Sequence, residues 1–187
     1  GILPAGETLE EKVSKETWSK LVQASGNYGL PLEAAKRFKP WFAGLTIATL
    51  RVVSAGFTPD YGLDQYFMKK GDKQIVELES TESQMALFDD MSPELAEFFL
   101  VDSMEGPLNK EDLNQLLNSW ETGDAEAMFT QIFSEVGSKP EYAPLYKRIF
   151  DDRNLAMSKG IEELLGAHDT LFVVVGAGHM IGKNGLV

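Results

Sequence analysis

One of the two histidines in the chain, His179, comes after a run of five apolar residues, Leu171 to Val175, and sits in Gly176-Ala177-Gly178-His179. Gly182 and Gly185 come close behind. Imidazole is the side chain that titrates nearest neutral pH and the commonest metal ligand, so this is the first place to look for chemistry. The second is Glu79, which closes the segment Lys73-Gln74-Ile75-Val76-Glu77-Leu78-Glu79. A carboxylate and an imidazole converging on one cleft suit a divalent metal that activates water. Two ligands are too few for such a site, so a third has to come from Glu82, Glu77 or residues outside this sequence. The third group is Asp151-Asp152-Arg153-Asn154. Its Arg153 can grip a substrate carboxylate or face a developing oxyanion. Each group also has a plain structural reading. His179 can bond a carbonyl at a strand end, Glu79 can favour the start of the next helix, and Arg153 can pair with an acid one turn away.

Two strands are expected to position the first pair. An unbroken Val-rich run bounded by glycine reads as a strand covered on both faces, and 73–79 reads as a second strand-like segment. In open α/β sheets, ligands sit beyond the carboxyl ends of strands, which places Glu79 and His179 in one cleft. The remainder reads as helix. Ser14-Lys15-Glu16-Thr17 opens a helix through Trp18, Leu21 and Val22 that stops at Ser25-Gly26-Asn27. Pro31 restarts a short one over Leu32 to Phe38, and Pro40 begins an apolar one from Trp41 to Ala55, ended by Gly56. Further helices are expected over Tyr61 to Lys70, from Ser80-Thr81-Glu82, from Ser92-Pro93-Glu94, over Leu108 to Trp120 and over Asp124 to Phe133. A long one is expected from about Ala143 to Leu165. Turns are read at Gly71-Asp72 and Gly137-Ser138-Lys139-Pro140, and His168 beside Asp169 reads as a helix-end cap. Two strands alone do not make a stable sheet, so others would have to precede Gly1 or come from a partner chain, a homodimer being compatible.

The 187 residues fit a single domain with a proper core. A net charge of −12 argues against binding nucleic acid or anionic membranes. The absence of cysteine removes disulfides and thiolate metal sites. No apolar run approaches the roughly 20 residues that span a bilayer. The first residues lack the order of a signal peptide, and the abrupt Gly1-Ile2-Leu3-Pro4 reads as a trimmed start. Gly176, Gly178 and Gly182 give G-x-G-x-x-x-G, one residue too long for a dinucleotide fingerprint.

Taken together, several segments resemble the TraB/PrgY/GumN family. They are Gly62-Leu63-Asp64-Gln65-Tyr66-Phe67, Gly71-Asp72-Lys73, Val76-Glu77-Leu78-Glu79-Ser80, Glu82-Ser83-Gln84, Arg153-Asn154 and Val175-Gly176-Ala177-Gly178-His179-Met180-Ile181-Gly182. The last resembles the second of the family's two G-x-x-H motifs. The resemblance implies a helix-rich α/β fold, with a small central sheet flanked by many helices, like that of the TIKI metalloproteases and erythromycin-esterase-like proteins. It also implies a metal-dependent hydrolase acting on peptides, in which a divalent ion (Mn, Co or Zn) activates water. By position, Glu79 and His179 would ligate the metal, Glu79 and Arg153 would be catalytic, and Gln84, Asn154 and Gly178 would lie against substrate. In the family, Leu-Pro comes soon after the first G-x-x-H, as in Leu3-Pro4, so the sequence reads as beginning just after that histidine. A bacterial cell envelope or periplasmic location is implied as well. The expected partner is a peptide or small-molecule substrate. The competing expectation is a non-catalytic envelope protein that binds such a ligand in the same cleft.

Overall fold

The computed structural model describes every residue except Asp72, Lys139, Glu141, His168 and Asp169, and leaves aside the side chains of 134–138. The chain divides into two compact units, residues 1–58 with 84–113, and residues 59–83 with 114–187. The expected turn residues Asp72 and Lys139, and the cap formed by His168 with Asp169, fall outside the described residues.

The first unit is built on α1 (Lys15–Tyr28), α2 (Leu32–Ala35), α3 (Pro40–Ser54) and α6 (Pro93–Glu105), with α5 (Thr81–Asp89) preceding α6. Ser14 caps α1 by accepting from the Thr17 main-chain N–H at 3.1 Å. Glu97 of α6 reaches the same end, accepting from Ser14 N at 2.8 Å and from the Thr17 hydroxyl at 2.6 Å. The helix runs past Ser25-Gly26-Asn27 and ends where Gly29 takes φ +73°, a left-handed conformation that glycine adopts without a Cβ clash. Pro40 occupies the first turn of α3, where its missing N–H costs nothing. In the second turn of α3, Gly44 lets the backbone of α6 come close: a Cβ there would stand 3.1 Å from Leu100 Cα. Buried Arg51 then forks onto the end of α6, donating to the carbonyls of Ser103 at 2.8 Å and Gly106 at 2.7 Å. The Ser103 carbonyl lies in the last turn, where a helix leaves its acceptors unpaired, and the Gly106 carbonyl takes the guanidinium beside the Leu108 N–H at 2.9 Å. Leu9, Leu21, Ala35, Ala43, Ile47 and Leu100 close into one aliphatic core.

The second unit holds α4 (Leu63–Lys69), most of α7 (Lys110–Thr122), α8 (Ala125–Ser138), α9 (Tyr142–Tyr146) and α10 (Asp152–Ala167). Between α9 and α10 lies a π-helical turn, Lys147–Asp151, within what reads from sequence as one uninterrupted helix. Aromatic rings make much of its interior. Phe133 lies edge-on to Tyr146 and to Phe150, with centroids 4.7 and 4.8 Å away, and Phe129 stands 4.9 Å from Phe133.

The expected α/β architecture with a central sheet is not what the chain adopts. Among the described residues there is no strand, only an isolated antiparallel bridge between Ile2 and Phe38 in the first unit. The two segments read as strands, 73–79 and 171–175, form neither helix nor ladder. A strand exists by pairing its main-chain groups with a neighbour, and no described neighbour pairs with these. Nor are they buried as the sequence pattern demands, since Ile75 is 61% and Phe172 73% exposed. A short apolar run signals burial that some partner must supply, and the pattern does not say whether one is present.

Candidate functional site

Asp151, Asp152, Arg153 and Asn154 emerge together from the π-helical turn. Inserting one residue into the helical repeat rotates the side chains on its C-terminal side, and such turns often sit at functional positions. Here the Asp152 N–H reaches back to the Lys147 carbonyl, five residues earlier. The Arg153 side chain covers another carbonyl of the turn, Nη1 donating to Ile149 O at 3.2 Å.

The main contact of Arg153 is with Glu79, 74 residues away in sequence. Nε donates to Oε1 at 2.8 Å and Nη2 to Oε2 at 2.6 Å, a two-pronged pairing of fork and carboxylate. Both side chains are largely withdrawn from solvent, 20% exposed for Arg153 and 14% for Glu79. The acids flanking Arg153 are engaged elsewhere: Asp152 with Lys147, and Asp151 with the side-chain amide of Asn184 at 3.1 Å. Glu79 is not the cap of the next helix, because Ser80 holds the start of α5 by accepting from Ser83 N.

Asn154 is buried, and so is His179, which ends the short 3-10 helix Ala177–His179. Their side chains meet with His179 Nδ1 2.6 Å from Asn154 Oδ1. The other end of the Asn154 amide donates from Nδ2 to the Asn184 carbonyl at 2.7 Å. A carbonyl can only accept, so Nδ2 must face Asn184 and Oδ1 must face the imidazole. Since Oδ1 also only accepts, Nδ1 carries the proton and Nε2 keeps its lone pair. Among the described residues Nε2 has no hydrogen-bond partner, and it is not among the fully buried side-chain atoms that lack one, Ser25 Oγ and Gln131 Oε1. Burial lowers the pKa of His179 below its ordinary value, the Arg153 charge lowers it further, and Glu79 acts weakly the other way. At neutral pH the ring is therefore uncharged, with one acceptor nitrogen.

The glycines around His179 serve packing. A Cβ on Gly178 would stand 2.9 Å from Phe150 Cε1, and one on Gly182, at φ +83°, would stand 2.6 Å from Phe129 Cε2. The His179 ring lies 5.3 Å from that of Phe150. Of the residues singled out from sequence, Glu79, Arg153, Asn154 and His179 come together in the second unit, with Gly178 beside them. Gln84 belongs to the first unit, and no hydrogen bond of the cluster involves it. One participant, Asn184, carried no sequence signal, because it looks like an ordinary turn residue; Asp151, singled out with its neighbours, acts through Asn184 and not through the adjacent arginine.

The chain as a whole matches the model of the TraB/PrgY/gumN family over residues 1–187. It belongs to that family. Among curated relatives, the uncharacterized protein YbaP of Escherichia coli (strain K12) is 25% identical over 191 residues, covering 98% of this chain and 68% of its own length. YbaP of Shigella flexneri matches to the same extent. No solved structure matches the chain. Within this TraB/PrgY/gumN protein, the donors at the cluster do not fit a catalytic metal. His179 offers one nitrogen, both Glu79 oxygens accept from Arg153, and such a site normally uses three protein ligands. Among the described residues, no group of three or more His, Asp or Glu is placed to hold an ion.

Proposed function

We propose that the second unit carries a hydrolytic site for peptide-like acyl substrates, centred on His179. The observation that supports it best is the Asn154–His179 contact, which fixes one tautomer and leaves Nε2 as a neutral base. A base whose pKa lies below neutrality is unprotonated when a water arrives. Nε2 takes a proton from water as its oxygen bonds to the substrate carbonyl carbon. The carbonyl electron pair moves onto oxygen, facing the Arg153 guanidinium. The pair then returns, the carbon–nitrogen bond breaks, and His179 hands its proton to the departing amine. Arg153 spends three of its five N–H groups on Glu79 and Ile149, and the others remain for the oxyanion. Glu79 holds the guanidinium plane in place. No step runs through a metal. A manganese, cobalt or zinc ion that assists would need donors beyond this cluster.

The Glu79–Arg153 pairing also favours a second reading, a non-catalytic cleft that holds such a ligand, because it ties up a carboxylate whose charge reaches His179. One experiment separates the two. Purified protein is assayed on a fluorogenic peptide mixture, with and without added manganese, cobalt or zinc, beside His179→Ala and Arg153→Met. Turnover that falls by about 10² or more in His179→Ala supports hydrolysis. Turnover untouched by both substitutions, or ligand binding with no turnover under any condition, sinks it.

A further inference from the structure

His179 and Asn184 ride on one tight loop. The His179 carbonyl accepts from the Leu186 N–H at 2.9 Å, and the Gly185 N–H donates to the Gly182 carbonyl at 3.1 Å. The backbone is so crowded there that a Cβ on Gly185 would stand 2.7 Å from the Met180 carbonyl oxygen. The loop therefore closes on itself, with the imidazole and the Asn184 carbonyl at a set spacing along it.

The start of α10 grips Asn184 at two points. Asp151, the last residue of the π-helical turn, accepts from Asn184 Nδ2 at 3.1 Å. Asn154 donates from its own Nδ2 to the Asn184 carbonyl at 2.7 Å. Asp151 and Asn154 are three residues apart and so share one face of the helix. The outer grip pairs an amide with a charged acceptor, which makes it one of the stronger kinds of hydrogen bond. It restrains Asn184 where the carbonyl meets Asn154, and that carbonyl decides which way the Asn154 amide faces. With the carbonyl in place, Nδ2 is taken and Oδ1 is presented to His179. Without it, a half-turn of the amide would bring Nδ2 to the imidazole, Nδ1 would accept, and the proton would sit on Nε2. The base would have become a donor.

We infer that Asn184 is a positioning residue: its side chain, held by Asp151, keeps its carbonyl on Asn154 and, through Asn154, keeps the proton of His179 on Nδ1. As a contribution to catalysis the inference rests on the hydrolytic reading of His179. As a statement about the imidazole it stands apart from that reading.

The test records long-range proton–nitrogen spectra of the nitrogen-labelled chain at a pH above the His179 pKa. The chain holds two histidines, and the signals lost in His179→Gln assign this one. The Nδ1–H form should predominate in the unaltered protein. Asn184→Asp sets a second carboxylate against Asp151, and Asp151→Ala removes the acceptor. Each should lower the ratio of Nδ1–H to Nε2–H forms about tenfold. Asp151→Asn combined with Asn184→Asp again offers one amide and one carboxylate, and should restore the ratio. A merely structural role would lower the melting temperature and leave the ratio alone. A predominant Nε2–H form in the unaltered protein, an unmoved ratio in either single variant that folds, or a combined variant that does not restore it overturns the inference. On the fluorogenic peptides, kcat should fall about tenfold in the single variants at constant KM. A ratio that moves as expected with no turnover in any form sinks only the hydrolytic reading. Turnover that is lost in His179→Ala while the ratio stays fixed in the single variants sinks only this inference.

Discussion

The two units of this chain solve the problem of burial differently. In the first, Leu9, Leu21, Ile47 and Leu100 are sealed completely, and the polar groups among them finish helices: Glu97 at the start of α1, Arg51 at the end of α6. In the second, the deeply placed groups include His179 and Asn154, the interior is largely aromatic, and most of the large exposed apolar side chains of the protein occur there. The second unit keeps a buried imidazole and a paired guanidinium, and residues 171–175 remain outside any ladder among the described residues.

The contrast can be broken by substitution. Leu100→Ala empties a fully sealed position against α3, and about 2–5 kcal/mol of stability should be lost in a denaturant titration. A loss under about 1 kcal/mol would mean the first core is looser than it looks. Asn154→Ala in the second unit leaves the Asn184 carbonyl and His179 Nδ1 without partners, for an expected cost of about 1–3 kcal/mol. It should also free the imidazole to change tautomer, which nitrogen chemical shifts would register. Unchanged shifts would show that Asn154 does not set the proton.

Acid offers a gentler test. The folded pKa of His179 lies below its unfolded value, so between the two the unfolded chain binds more protons. Stability that depends on this residue therefore falls as pH drops below about 6.5. In the first unit, the hydrogen bond from Lys39 holds the Asp89 carboxyl below its usual range. Its contribution is complete above about 3.9 and is lost as pH falls through the depressed value. Between pH 7 and pH 5.5, hydrogen-exchange protection, corrected for the slower intrinsic exchange at the lower pH, should fall in α10 before α3, and His179→Gln should remove the difference. The smallest effect is expected for Phe172→Ser. The ring contacts Phe67 at 4.7 Å between centroids yet is mostly exposed, so stability should change by within about 0.5 kcal/mol. A much larger loss would mean that the run 171–175 is part of the second unit's core.

Local signals were legible wherever a few neighbouring residues settle the matter. Ser14, Ser92 and Pro40 start helices where their side chains or missing N–H suit a first turn, whereas the end of α1 reads from sequence at Ser25-Gly26-Asn27 and falls instead at Gly29, with φ +73°. The types of the site residues could be read for the same reason, since only certain side chains carry protons or charge near neutrality. Which partner each would find could not. Glu79 could as well have favoured a helix start, and Arg153 could have paired with Asp151. The fold decided otherwise by bringing together residues 74 apart in one case and 25 in the other. The sheet failed for the same reason in reverse: residues 73–79 and 171–175 have the composition of strands, but a strand needs a second chain segment alongside. Sequence alone thus determined where most helices begin and the chemical groups on offer, while some ends shifted: α1 runs past Ser25-Gly26-Asn27 and α2 stops at Ala35. Tertiary structure alone decided the Glu79–Arg153 pairing, the protonated nitrogen of His179 and the exclusion of 171–175 from any ladder among the described residues, because each depends on distances between residues that no local pattern encodes.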